Sequence, residues 1–197
     1  MIAAANPTRP RAGGRTPVRR AARPGAGAAG GIAATGGATR PAPGLRVRRA
    51  RPADARAIAA VMRASIRTLA RGALPARQIA AWSSLPPLYH LWAMTAGGER
   101  YLVAEQAGRM AGYGALRGGE LTAVFVRPRE ARRGVGTALV SALERAARRG
   151  GARTMTVLAA PPALAFYAAL GFRGTRAVRV PLPGGVALEA RALRKSL

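Results

Sequence analysis

The sequence predicts a mixed α/β domain behind a structureless tail, on three observations. Two stretches, Ile58 to Leu69 and Val135 to Ala146, carry apolar residues at helical spacing. Between Tyr101 and Val126, three apolar runs are separated only by Gly108 and the Gly118-Gly119 pair, as in hairpin-linked strands. Composition also changes abruptly at residue 45: of residues 1–44, 35 are Ala, Gly, Arg or Pro and none is acidic.

Residues 1–44 cannot bury enough apolar surface to offset chain entropy, so they are expected to be disordered. Their few large apolar residues, Met1, Ile2, Val18 and Ile32, follow no period, and no apolar stretch follows the Arg19-Arg20 pair as a secretory signal requires. Translation from an upstream start codon explains the segment as well as any function does. From Leu45 the elements follow in order. Leu45 and Val47 alternate with Arg46 and Arg48, as in a half-buried strand. Ile58, Val61, Met62, Ser65, Ile66 and Leu69 form one helical face, entered through Pro52 and Asp54. A shorter helix is expected over Pro75 to Trp82. Strands are then expected at Tyr101–Glu105, Met110–Leu116 and Leu121–Val126. Val135, Leu139, Ala142, Leu143 and Ala146 stripe a helix that Gly150-Gly151 ends. A strand at Thr154–Ala159, a helix from Pro162 to Leu170 ended by Gly171, and two strands at Arg173–Val180 and Val186–Ala192 complete the domain. The total is seven strands and about four helices over residues 45–197.

Composition bounds the chemistry. The chain has 197 residues without cysteine, which excludes disulfides, a thiol nucleophile and thiolate metal sites. His90 is the single histidine, so no multi-histidine metal centre is expected. No run of 18 apolar residues is present, and a cytoplasmic protein without a membrane partner is expected. Lys and Arg number 33 against 7 acids, a net charge of +26, yet 32 of the 33 are Arg. That skew reads as nucleotide-composition bias in preference to nucleic-acid recognition. Only 5% of residues are aromatic, few for stacking bases.

The segment from Glu120 to Leu139 is an apolar strand, a basic loop and a Gly134-Val135-Gly136 turn opening a helix. Glycines there admit an anion to backbone N–H groups, and the helix N-terminus adds partial positive charge. The turn lacks the third glycine of a dinucleotide fingerprint and the Lys of a P-loop, and taken alone it fits either a phosphate site or plain loop geometry.

Ala131-Arg132-Arg133-Gly134-Val135-Gly136 resembles the acetyl-CoA loop of the GNAT superfamily of N-acetyltransferases, Gln/Arg-x-x-Gly-x-Gly/Ala. About 30 residues later Phe166-Tyr167-Ala-Ala-Leu-Gly171-Phe172 matches a second signature of that family, Phe-Tyr-x-x-x-Gly-Phe. The resemblance spans Leu45 to Leu197. It implies a mostly antiparallel sheet that splits between its fourth and fifth strands, with the pantetheine arm of acetyl-CoA in the gap. Main-chain groups of Val124, Phe125 and Val126 would pair with that arm. N–H groups from Arg132, Arg133, Gly134, Val135, Gly136 and Thr137 would hold the pyrophosphate. The N–H near Val126 would polarise the thioester carbonyl. By the same resemblance, Tyr167 would protonate the leaving thiolate, and Glu120, 14 residues before Gly134, would relay the amine's proton. Two positions depart from the family pattern: Ala131 stands where Gln or Arg is usual, and Pro162 where many members carry an Asn that contacts the cofactor.

The resemblance therefore implies acetyl transfer to a primary amine of a small metabolite or a protein, without a metal. The alternative is a basic, non-catalytic or tRNA- or ribosome-directed member of the same fold. Gln78, Trp82, Tyr89, His90 and Trp92 are candidates for the acceptor pocket, with Trp82 and Trp92 favoured as core or lid packing. Sparse acids and abundant Arg favour an acceptor with its own carboxylate or phosphate. A homodimer is left open.

Overall fold

A computed structural model of the protein describes residues 44–197; the expected tail over 1–44 lies, Gly44 apart, outside the described residues. The seven strands are β1 (Arg46–Arg49), β2 (Arg100–Gln106), β3 (Arg109–Arg117), β4 (Glu120–Val126), β5 (Thr154–Ala159), β6 (Arg173–Pro181) and β7 (Ala187–Ser196). The helices are α1 (Ala55–Leu69), α2 (Ala76–Trp82), α3 (Pro87–Thr95), α4 (Val135–Arg149) and α5 (Leu164–Ala169). All strands join one sheet in the order β1-β2-β3-β4-β5-β7-β6. Every neighbouring pair is antiparallel except β4–β5, which is parallel.

The sequence expectation of about four helices omitted α3. Pro86 and Pro87 look like breakers, but Pro87 occupies the first helical position, where a missing N–H costs nothing. The helix expected from Pro162 is a 3-10 turn, Pro161–Ala163, running into the short α5.

Each striped helix covers one face of the sheet. On one, Val135, Leu139, Val140 and Leu143 of α4 pack with Leu121, Val124, Val126, Met155 and Val157. On the other, Ile58, Val61, Met62 and Ile66 of α1 pack with Tyr113, Ala123 and Phe125, beside Trp82 of α2. Glycine on β3 lets α4 come close: a β-carbon on Gly114 would stand 2.7 Å from Leu143 Cδ1. Lys195 Nζ, 2.6 Å from Glu144 Oε1, ties β7 to α4.

Candidate active site

β4 begins beside β5 and then leaves it. Glu120 pairs with Thr156 and Leu121 with Val157, and the pairing ends there. The departure coincides with a bulge: Ala115 of β3 faces Ala123 while the next residue, Leu116, faces Leu121, so Thr122 is the extra residue on β4. A bulge bends its strand and increases twist. Thr122 is clamped there, its Oγ1 donating to Glu99 Oε2 at 2.7 Å while Arg117 Nη2 donates to Glu99 Oε1 at 2.6 Å. Burial of Glu99, its side chain only 2% exposed, pushes its carboxyl above the usual range against the opposing pull of Thr122 and Arg117; Glu120 adds to the rise. Beyond Leu121, β4 pairs with β3 on one side and with no strand on the other among the described residues. The main chain of Val124, Phe125 and Val126 thus forms an edge inside the sheet, a template for an extended ligand.

The loop after β4 prepares an anion site at the same end. Gly134 caps α4 with φ 77°, in the left-handed region that glycine adopts without strain. Arg132 sits there too, at φ 61°, although it has a side chain; such strain collects at ligand clamps. The first N–H bonded within α4 is that of Ala138, to Gly134 O at 2.9 Å, and no side chain caps the helix. The N–H groups of Val135, Gly136 and Thr137 are therefore available. Arg133 Nη1 is held by Glu130 Oε2 at 2.9 Å, which offsets part of its charge.

Tyr167 is fully buried in the apolar cluster that also contains Val124, Val126, Val135 and Leu139. Its ring meets Phe166 and Phe172 edge-on, at 5.1 and 5.5 Å between centroids. Its Oη has no hydrogen-bond partner among the described residues. A buried hydroxyl left unpaired costs about 1–3 kcal/mol, so packing alone would favour Phe. Burial also raises its pKa, keeping the phenol protonated.

Glu120 and Leu121 point to opposite faces, and Leu121 belongs to the α4 face. Glu120 lines a cavity of about 530 Å³ with Thr156, Leu158, Arg173, Arg176 and Arg194. The structure thus places Tyr167 and the loop on one face of the parted strands, and Glu120 on the other.

The suggested acceptor residues divide. Trp82 is fully buried against Phe125, centroids 5.8 Å apart, as core packing predicts. Trp92 is 50% exposed on α3 and is not core. Gln78 Nε2 donates to Ala187 O at 2.9 Å, tying α2 to β7. His90 is buried with Nδ1 3.3 Å from Tyr101 Oη, and its Nε2 has no partner among the described residues. Burial lowers its pKa to about 4, so the ring is neutral near pH 7. Tyr89 is pushed up to about 12, chiefly by burial. Among the described residues no group of three His, Cys, Asp or Glu is placed to hold a metal, and no helix is long and apolar enough to cross a membrane.

The family model for the acetyltransferase (GNAT) domain matches residues 79–180, just over half the chain. A crystal structure of a GCN5-related N-acetyltransferase from Rhodopseudomonas palustris is 31% identical, with TM-score 0.72, over 77% of this chain and 95% of that one. The chain belongs to the GNAT acetyltransferase family. PaiA N-acetyltransferase from Thermoplasma acidophilum, in complex with coenzyme A, shares the fold at 16% identity and TM-score 0.63, over 78% of this chain and 99% of that one. So does yncA of Salmonella typhimurium with its cofactor acetyl-CoA, at 22% identity and TM-score 0.59, over 78% and 94% of the two chains. No curated protein sequence matches the chain. The split sheet is thus the GNAT fold, with five α-helices among the described residues in place of about four. Thr122 and Glu99, whose hydrogen bond fastens the bulge where β4 leaves β5, were not singled out from the sequence. Leu121 to Val126 reads there as one apolar strand, and only the register reveals the extra residue.

Proposed function

We propose that residues 45–197 transfer the acetyl group of acetyl-CoA directly to a primary amine. The observation that carries this reading is the interior edge of β4, free beyond Leu121 and flanked by an uncapped helix N-terminus and a buried, unpaired phenol. Each feature suits one part of the thioester: an extended amide-bearing arm, a pyrophosphate and a sulfur. Acetyl-CoA supplies the activated acyl group.

Val124, Phe125 and Val126 bind the arm through their main chain, and a free main-chain N–H of β4 just beyond Leu121 points positive charge at the carbonyl oxygen as it gains negative charge; Val126 itself, about 20 Å along the strand from Glu120, is too far from the base to be that donor. N–H groups of Val135, Gly136 and Thr137 take the pyrophosphate with Arg132 and Gly134, and Arg133 contributes what Glu130 leaves of its charge. Glu120 accepts the proton of the incoming ammonium, directly or through a water. As the N–C bond forms and the C–S bond breaks, Tyr167 donates a hydrogen bond to the departing sulfur, which takes up the second proton shed by the amine nitrogen, so CoA leaves as the thiol and the phenol stays protonated. Pro162 offers no side-chain donor, and the cofactor is held without one at that position.

The test is CoA release from acetyl-CoA in the presence of an amine panel, with mass spectrometry of the product. An N-acetylated amine and equimolar CoA are expected. An acetylated protein side chain on the transfer path, or no amine-dependent release, would refute the reading.

A further inference from the structure

We infer that the acceptor amine carries its own anionic group, a carboxylate or a phosphate, held by Arg176 and Arg194 while the amine lies against Glu120. This rests on the acetyltransferase reading and names its substrate class.

The sheet register builds the arrangement. Glu120 of β4 lies opposite Thr156 of β5, and Thr156 opposite Arg194 of β7. One row across three strands thus ends in a carboxylate at one side and a guanidinium at the other, about 10 Å apart at the backbone. A bulge between Arg173 and Arg176 shapes the far wall. Only glycine fits at its centre, since a β-carbon on Gly174, φ 140°, would stand 2.5 Å from Ala192 O. Arg176 and Arg194 border the same cavity of about 530 Å³ as Glu120.

The charges there do not satisfy one another. Among the described residues, Glu120, Arg176 and Arg194 appear in no ion pair. Arg173 differs: its Nη1 donates to Ala168 O at 2.8 Å and Phe172 O at 3.0 Å, so it is a fixed wall. A cationic polyamine would meet three guanidiniums and one carboxylate. A zwitterion gains at both ends, because Arg binds carboxylate or phosphate through paired N–H donors while the lone acid receives the ammonium.

The experiment titrates matched pairs into the full chain loaded with desulfo-CoA: amino acids against their methyl esters, and O-phosphoethanolamine against ethanolamine. Calorimetry gives affinity, and CoA release from acetyl-CoA is read in parallel. The anionic member of a pair should bind at least tenfold more tightly. Arg176→Gln with Arg194→Gln should abolish that preference. Arg145→Gln with Arg148→Gln, exposed on α4 and removing equal charge, should retain it. Preference among amino acids alone identifies a carboxylate; preference for O-phosphoethanolamine alone identifies a phosphate. Equal binding of neutral partners, binding of no member, or a preference that survives the Arg176/Arg194 changes overturns the inference. Tight anionic binding without CoA release refutes the reaction and leaves the pocket assignment standing; equal acetylation of neutral members does the reverse.

Discussion

Replacing Tyr167 by Phe should stabilise the ligand-free protein and impair its chemistry. The hydroxyl is fully buried with no partner, so the folded state bears a desolvation cost of about 1–3 kcal/mol that Phe does not. The ring's contacts with Phe166 and Phe172 survive the change. For a domain of this size 1 kcal/mol shifts Tm by about 2–4 °C, so a rise of about 2–12 °C is expected without ligand. With saturating acetyl-CoA the gain should shrink, because the wild-type hydroxyl then has a partner. The kcat should fall about 100-fold, the low end for losing one hydrogen-bond donor to developing negative charge, with acetyl-CoA affinity changed less than threefold. Thermal melts with and without acetyl-CoA, beside steady-state CoA release, read all three quantities. An unchanged or lower Tm together with unchanged kcat would refute the assignment of Tyr167.

Substitutions at four further positions test the packing. Leu139→Ala, in the fully buried seam between α4 and the sheet, should cost about 2–5 kcal/mol in denaturant unfolding. Thr122→Val removes the bond that clamps the bulge to Glu99; acetyl-CoA affinity should drop several-fold and Thr122→Ser should restore it, whereas equal affinity in all three would detach the clamp from the cofactor gap. His90, lowered from 6.5 to about 4 by burial, binds fewer protons folded than unfolded. Its contribution is therefore full above pH 6.5 and lost as pH falls toward 4, about 3 kcal/mol in all. His90→Gln should flatten the stability curve across that window. Glu99, raised by burial, acts oppositely, its contribution fading as pH rises through its folded pKa, and Glu99→Gln separates the two.

The parts of the fold carried by local pattern were legible in the sequence. Glycine-punctuated hairpins and the two helical stripes place β2 to β4, α1 and α4 because period and turn chemistry are properties of neighbouring residues. α3 was not legible, since Pro86-Pro87 reads the same as a break or as a helix start. Trp92 illustrates a different limit: an aromatic residue beside other aromatics suggests core or lid packing, and only the helix's orientation, which leaves it 50% exposed, removes the core alternative. Of the site, the loop at Gly134 and the Phe166-Tyr167 motif were visible as contiguous strings. The clamp of Glu99 on Thr122 and the row from Glu120 to Arg194 were not, because each joins residues that only strand register brings together.

The most direct measurement is calorimetric titration of acetyl-CoA into the full chain in moderate salt, with desulfo-CoA and an unrelated polyanion as controls. Expected is one-to-one binding that the polyanion does not displace. Binding no tighter than the polyanion's, and falling with salt in the same proportion, would show that the arginines attract charge without a cofactor site between β4 and β5.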